Sequence, residues 1–92
     1  MYQVETTPQF DEDVLNLDPR VARRIIKKLE WLAANAQTIT HEELKGMPSD
    51  LQGLCRYRVG DYRILYWIYH ERQLIRAYGV GHRRQVYTQL NR

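Results

Sequence analysis

The sequence predicts an α+β fold in which an N-terminal strand and a helical hairpin pack on an antiparallel sheet of about four strands. Three observations carry that prediction. Apolar and aromatic side chains occupy both parities of Tyr62–Tyr69, with Ile64, Tyr66 and Ile68 set against Leu65, Trp67 and Tyr69, as in a strand covered on both faces. Gly60-Asp61, between two β-rich runs, signals a two-residue hairpin, because glycine takes positive φ at the first loop position without steric cost. Upstream, Thr7-Pro8 and Asp18-Pro19 each join a capping side chain to a proline suited to the first helical position.

In chain order, Tyr2, Val4 and Thr6 alternate with Gln3 and Glu5 as in a short edge strand. A first helix follows from Pro8, with Asp11, Glu12 and Asp13 at the positive end of its dipole and Phe10, Val14 and Leu17 as its buried stripe. The second starts at Pro19 and reaches roughly Asn35. In it Val21, Ile25, Leu29, Leu32 and Ala36 recur at helical spacing, widened by Ala22, Ile26 and Ala33, and this stripe is the expected cover for one sheet face. Its other side carries Arg20, Arg23, Arg24, Lys27 and Lys28, a pattern more often solvated than bound to nucleic acid. Periodicity lapses from Gln37 to Gly53, where Gly46, Pro48 and Gly53 mark a loop. From Leu54 to Tyr87 the chain reads as three adjacent antiparallel strands followed by a basic turn.

The hairpin register sets Val59 opposite Tyr62, Arg58 opposite Arg63 and Arg56 opposite Leu65. Residues two apart share a face, so Arg56, Arg58 and Arg63 gather on one side of the sheet, with no acidic residue on these two strands to neutralise them.

Composition narrows the class of protein. Ninety-two residues, 43% of them hydrophobic, suffice for one domain over 1–92 with a modest core. No apolar run approaches a membrane span and no basic-then-apolar pattern opens the chain, so a soluble cytoplasmic protein without membrane contact is expected. Cys55, the only cysteine, alternates with Tyr57 and Val59 like a small buried hydrophobe and rules out an intrachain disulfide. His41, His70 and His82 lack paired-ligand spacing, and neither a metal nor a cofactor is expected. Charge is unevenly spread: residues 1–53 carry six Lys/Arg against nine Asp/Glu, whereas residues 54–92 carry eight cations, all Arg, against two acids. Guanidinium forks bind phosphate bidentately, and such asymmetry points to a polyanionic partner.

Three segments, in order after the helical hairpin, resemble the RelE-type toxins of the RelE/ParE toxin–antitoxin superfamily: Leu44-Lys45-Gly46-Met47-Pro48, Arg58-Val59-Gly60-Asp61-Tyr62-Arg63-Ile64-Leu65-Tyr66, and Val80-Gly81-His82-Arg83-Arg84-Gln85-Val86-Tyr87. The resemblance covers almost the whole chain. It implies an architecture like that of small microbial ribonucleases with a short C-terminal helix, cleavage of messenger RNA in the ribosomal A site, and a cognate RelB-like antitoxin. It further implies that Arg63 contacts the scissile phosphate, that Arg83 assists the leaving oxygen and that Tyr87 stacks on or orients a base. Lys45, Arg58 and Arg84 are the expected substrate-binding cations, while Leu54 and Arg56 stand where the best-known member has lysines.

The chemistry explains these residue types. When the 2′-hydroxyl attacks phosphorus, charge builds on the nonbridging oxygens and on the departing 5′ oxygen, where preorganised cations lower the barrier. Arg63 and Arg56 suit that task; arginine, with a pKa above about 12, does not suit proton abstraction. His82 is the conventional base, or else a turn histidine facing away from the substrate. Tyr87 either stacks on a base or anchors the C-terminal segment with Val86 and Leu90. The leading expectation is a ribosome-dependent endoribonuclease. The alternatives are a ParE-like inhibitor of DNA gyrase on the same fold, or an inactive toxin kept for antitoxin binding and operon regulation.

Overall fold

Thr7 both ends the first strand and starts the first helix. Its Oγ1 accepts the Phe10 N–H at 3.1 Å and its hydroxyl donates to the Tyr78 carbonyl at 2.8 Å, so one buried side chain caps the helix and ties it to the sheet. The computed structural model containing this joint describes residues 1–91; Arg92, one of the eight C-terminal arginines, lies outside the described residues.

Strand β1 (Gln3–Thr6) leads into α1 (Pro8–Leu15), and Asp18, accepting the Arg20 N–H at 2.8 Å, caps α2 (Pro19–Ala34). The helical hairpin is thus the one its two cap-and-proline pairs predict. Strands β3 (Cys55–Val59), β4 (Tyr62–Tyr69) and β5 (Leu74–His82) form the antiparallel meander, with the β3–β4 register as expected. Gly60 has φ +58°, and a Cβ there would stand 2.7 Å from Arg24 Nη2, which reaches from α2 toward the hairpin.

Two features go beyond the expected sheet. A two-residue strand, β2 (Glu42–Glu43), pairs with β3 inside the stretch read as a loop, and β1 runs parallel to β5. The sheet is therefore five-stranded and mixed, in the order β1-β5-β4-β3-β2. Between β4 and β5 the register slips, with Leu65 opposite Gly79 but Tyr66 opposite Ala77, so Tyr78 is an extra residue in a bulge.

Both faces of β4 are covered along its middle, as its composition requires, while Tyr69 at its end is exposed. The helix face holds the larger core, in which Phe10, Ile25, Leu29 and Leu32 meet Ile64, Tyr66, Ile75 and Val80. Ile26, placed by its spacing in the α2 stripe, is instead 41% exposed, on the shoulder of the helix. On the other face Leu51, Leu54, Leu65, Val86 and Leu90 make a smaller core. There the expected C-terminal helix is a 3-10 turn, Thr88–Asn91, which seats Leu90. Cys55 is buried as expected, and burial pushes its thiol up to about 11. No helix of the described residues is long and apolar enough to cross a membrane.

Candidate nucleic-acid interface

Strand parity brings Arg56, Arg58 and Arg63 to the face that carries the smaller core, with Arg58 directly opposite Arg63. Each guanidinium is held differently. Arg63 Nη1 donates to the carbonyls of Gly60 and Tyr62, both at 2.8 Å, so the hairpin's own backbone fixes its reach. Arg56 is gripped by side chains: Nη1 donates to Tyr87 Oη at 2.9 Å, while Nε and Nη2 donate to the two oxygens of Glu42 at 3.0 and 2.6 Å. Tyr87 also lays its ring near the guanidinium, 5.9 Å from the centroid. Arg58 stands 3.8 Å from the same Glu42 carboxylate.

Like charges directly opposed in a sheet repel, and Glu42 offsets part of that repulsion. The hydrogen bonds from Arg56 hold the Glu42 carboxyl below its ordinary value, with Arg58 and Arg63 adding smaller attractions. The same bonds, Glu42 first and Tyr87 second, raise the pKa of Arg56 further. Glu42 is the residue sequence reasoning missed. Two residues are too short a run for periodicity to mark as a strand, and the only available signal was an acidic pair ahead of an unneutralised row of arginines.

Arg83 lies at the hairpin end of the sheet. Its N–H donates to the Asp61 carbonyl at 2.7 Å and its Nε is 3.7 Å from the Asp61 carboxylate, leaving the side chain half exposed. Lys45 and Arg84 are exposed, on the turn after β2 and on the turn after β5. His82 does not join the arginines. It pairs with Tyr62, packs its ring edge against that tyrosine at 5.6 Å, and accepts the Arg84 N–H on Nδ1 at 3.2 Å. That hydrogen bond leaves the neutral ring's proton on Nε2, and the ring lines a 280 Å³ cavity with Asp13, Asn16 and Asp18 on the helix side.

The arrangement is a shallow cationic face beside an aromatic ring. The larger, 430 Å³ cleft lies between α1 and the C-terminal segment, and among the described residues its lining includes Glu12 and Asp13 and no arginine. A polyanion is therefore attracted to the open face and repelled from the cleft. Among the described residues no three His, Cys, Asp or Glu side chains are grouped as metal ligands.

Residues 4–87 match the family described as ParE toxin of type II toxin–antitoxin system. No curated protein matches the chain. Among solved structures it is similar to the toxin–antitoxin complex RelBE2 from Mycobacterium tuberculosis at 26% identity and TM-score 0.73, over 88% of this chain and 96% of that one. The isolated RelE toxin of Escherichia coli superposes with TM-score 0.70 at 22% identity, over 97% of this chain and 94% of that one. The RelB–RelE complex of Methanococcus jannaschii gives TM-score 0.66 at 22% identity, over 91% and 95%. At these two lower identities the likeness is one of fold.

Proposed function

This chain belongs to the ParE toxin family of type II toxin–antitoxin systems, and we propose that within the RelE/ParE superfamily it is a ribosome-dependent endoribonuclease that cuts messenger RNA. The observation that carries the reading is the open face with Arg56, Arg58 and Arg63 in one row and Tyr87 hydrogen-bonded to Arg56. In the proposed reaction the 2′-hydroxyl attacks the adjacent phosphorus, the bond to the 5′ oxygen breaks, and a cyclic phosphate remains on the upstream fragment. Arg63 and Arg56 stabilise the charge on the nonbridging oxygens, and Arg83, half exposed at the hairpin end, steadies the leaving oxygen. Tyr87 positions a base and the Arg56 fork together. Lys45, Arg58 and Arg84 meet the neighbouring phosphates.

Among the described residues, a proton acceptor is the part this face lacks. His82 is turned to the helix side with its Nδ1 lone pair engaged, and both Glu42 oxygens are held by Arg56. A site rich in cations and short of a base depends on its surroundings to align the attacking hydroxyl, which is the reason to assign the chemistry to the ribosome. Incubating the purified protein with programmed ribosomes and with the same RNA alone tests this. Codon-phased cuts on the ribosome with free RNA left intact are expected; efficient cutting of naked RNA would refute the dependence on the ribosome.

The family match favours one second reading, a ParE-like inhibitor of DNA gyrase. Blocked supercoiling by gyrase, with programmed ribosomes untouched, would establish it in place of the first. Either way the proposed partner is a RelB-like antitoxin whose acidic, amphipathic segment covers the arginine face, and coexpression of such a segment should relieve growth arrest.

A further inference from the structure

Glu42 places a carboxylate where the proposed reaction needs a phosphate. Its two oxygens meet Nε and Nη2 of Arg56 in a fork-to-fork pair, the same two-point geometry in which arginine takes two phosphate oxygens, with Arg58 as a second cation 3.8 Å away. We infer that Glu42 is a resident substitute for an RNA phosphate, exchanged for a phosphodiester when RNA binds, and that it sets the affinity threshold of the face. The inference rests on the reading of this face as an RNA site.

Three observations support exchange over a permanent brace. The third contact of Arg56, from Nη1 to Tyr87 Oη, does not involve Glu42, so the guanidinium keeps its orientation after the carboxylate leaves. The pair is solvent-exposed, at 26% for the Arg56 side chain and 47% for Glu42, so screening keeps its attraction small enough for an incoming anion to replace. Glu42 also sits on a two-residue edge strand and belongs to neither apolar core, so swinging its side chain outward breaks no packing. The result is a filter. A lone anion must compete with Glu42, whereas a strand whose other phosphates already lie on Arg58 and Arg63 delivers its phosphate to Arg56 at high local concentration.

The test is a fluorescence-anisotropy titration of a short single-stranded RNA, 2′-O-methylated throughout so that it cannot be cut. Glu42→Gln should bind about two- to fivefold more tightly at low salt, the span expected for an exposed ion pair. Glu43→Gln removes the same charge from the neighbour that pairs with Cys55 on the opposite parity, and should gain less. In an Arg56→Ala background the gain from Glu42→Gln should shrink toward that of Glu43→Gln, leaving only the smaller part that runs through Arg58, because the coupling runs chiefly through Arg56. Unchanged or weaker binding by Glu42→Gln would make the glutamate a brace and overturn the exchange, as would no measurable RNA binding by any variant. If binding behaves as expected while programmed ribosomes stay intact, the exchange stands and the nuclease reading falls. If ribosome-bound message is cut while Glu42→Gln fails to tighten binding, only the exchange falls.

Discussion

The two faces of the β3–β4 hairpin are made from alternate residues of the same few strands, yet they do opposite work. Cys55, Val59, Ile64 and Tyr66 point into a core roofed by two helices, where even the polar atoms are matched: His41 accepts the Tyr66 hydroxyl on Nδ1 at 2.6 Å and donates from Nε2 to the Ala36 carbonyl at 2.7 Å. Arg56, Arg58, Arg63 and Leu65 point the other way, where a small apolar patch adjoins a row of cations. Burial fixes one side, and the other keeps its charges in water. The difference teaches that stability and charge chemistry can be separated by parity alone, and it can be broken at either side.

The largest effect is expected on the helix face. Phe10 is 1% exposed at the meeting point of α1 and the sheet. Phe10→Ala should cost about 3–5 kcal/mol, a large share of the ~5–15 kcal/mol that holds a domain folded, and urea denaturation would register it. A loss below about 1 kcal/mol would mean that α1 contributes little to the core.

Next come the arginines, where activity should fall without the fold. Arg63→Ala and Arg83→Ala should each lower single-turnover cleavage on programmed ribosomes by about 100-fold or more, roughly 2.7 kcal/mol of barrier, with an unchanged denaturation midpoint. Arg83→Lys keeps charge but not the planar fork and should rescue only partly. A large binding defect with normal cleavage at saturation would move Arg83 from chemistry to docking.

Smaller effects sharpen the contrast through pH. Burial raises the Tyr66 phenol above its ordinary 10.0, so the folded chain keeps a proton that the unfolded chain sheds. Its stabilisation is complete below pH 10 and declines as pH rises beyond that value. Tyr66→Phe should therefore cost about 1 kcal/mol at neutral pH and flatten the alkaline decline. Glu42 has the opposite sign: lowered from 4.5, its contribution is present above that pH and is lost as pH falls through the folded value. Because the pair is exposed, the smallest change expected is a slight drop in thermal midpoint for Glu42→Gln, vanishing in acid. Thermal melts of both variants across pH would check whether alkali loosens one face and acid the other.

Much of this was legible before any coordinates. The two cap-and-proline pairs located the helices, Gly60-Asp61 fixed the hairpin register, and that register put three arginines on one face. What stayed hidden was set by long-range pairing. β2 exists because Glu42 and Glu43 find β3, and their own two-residue pattern does not announce it. The side of His82 was hidden by a single extra residue. Without the bulge at Tyr78, the parity that buries Ile75 and Ala77 would turn His82 toward the arginines; with it, Val80 and His82 turn to the helix side.

The parallel pairing of β1 with β5 also governs timing. Residues 3–6 are made about seventy residues before their partners, residues 74–77. β1 must wait unpaired while α1, α2 and the β3–β4 hairpin gather, because a contact of such sequence separation closes late. Tyr87, which steadies Arg56, and Arg83 follow β5 in the chain. A nascent copy therefore carries an unfinished arginine face until β5, Arg83 and Tyr87 have all been made.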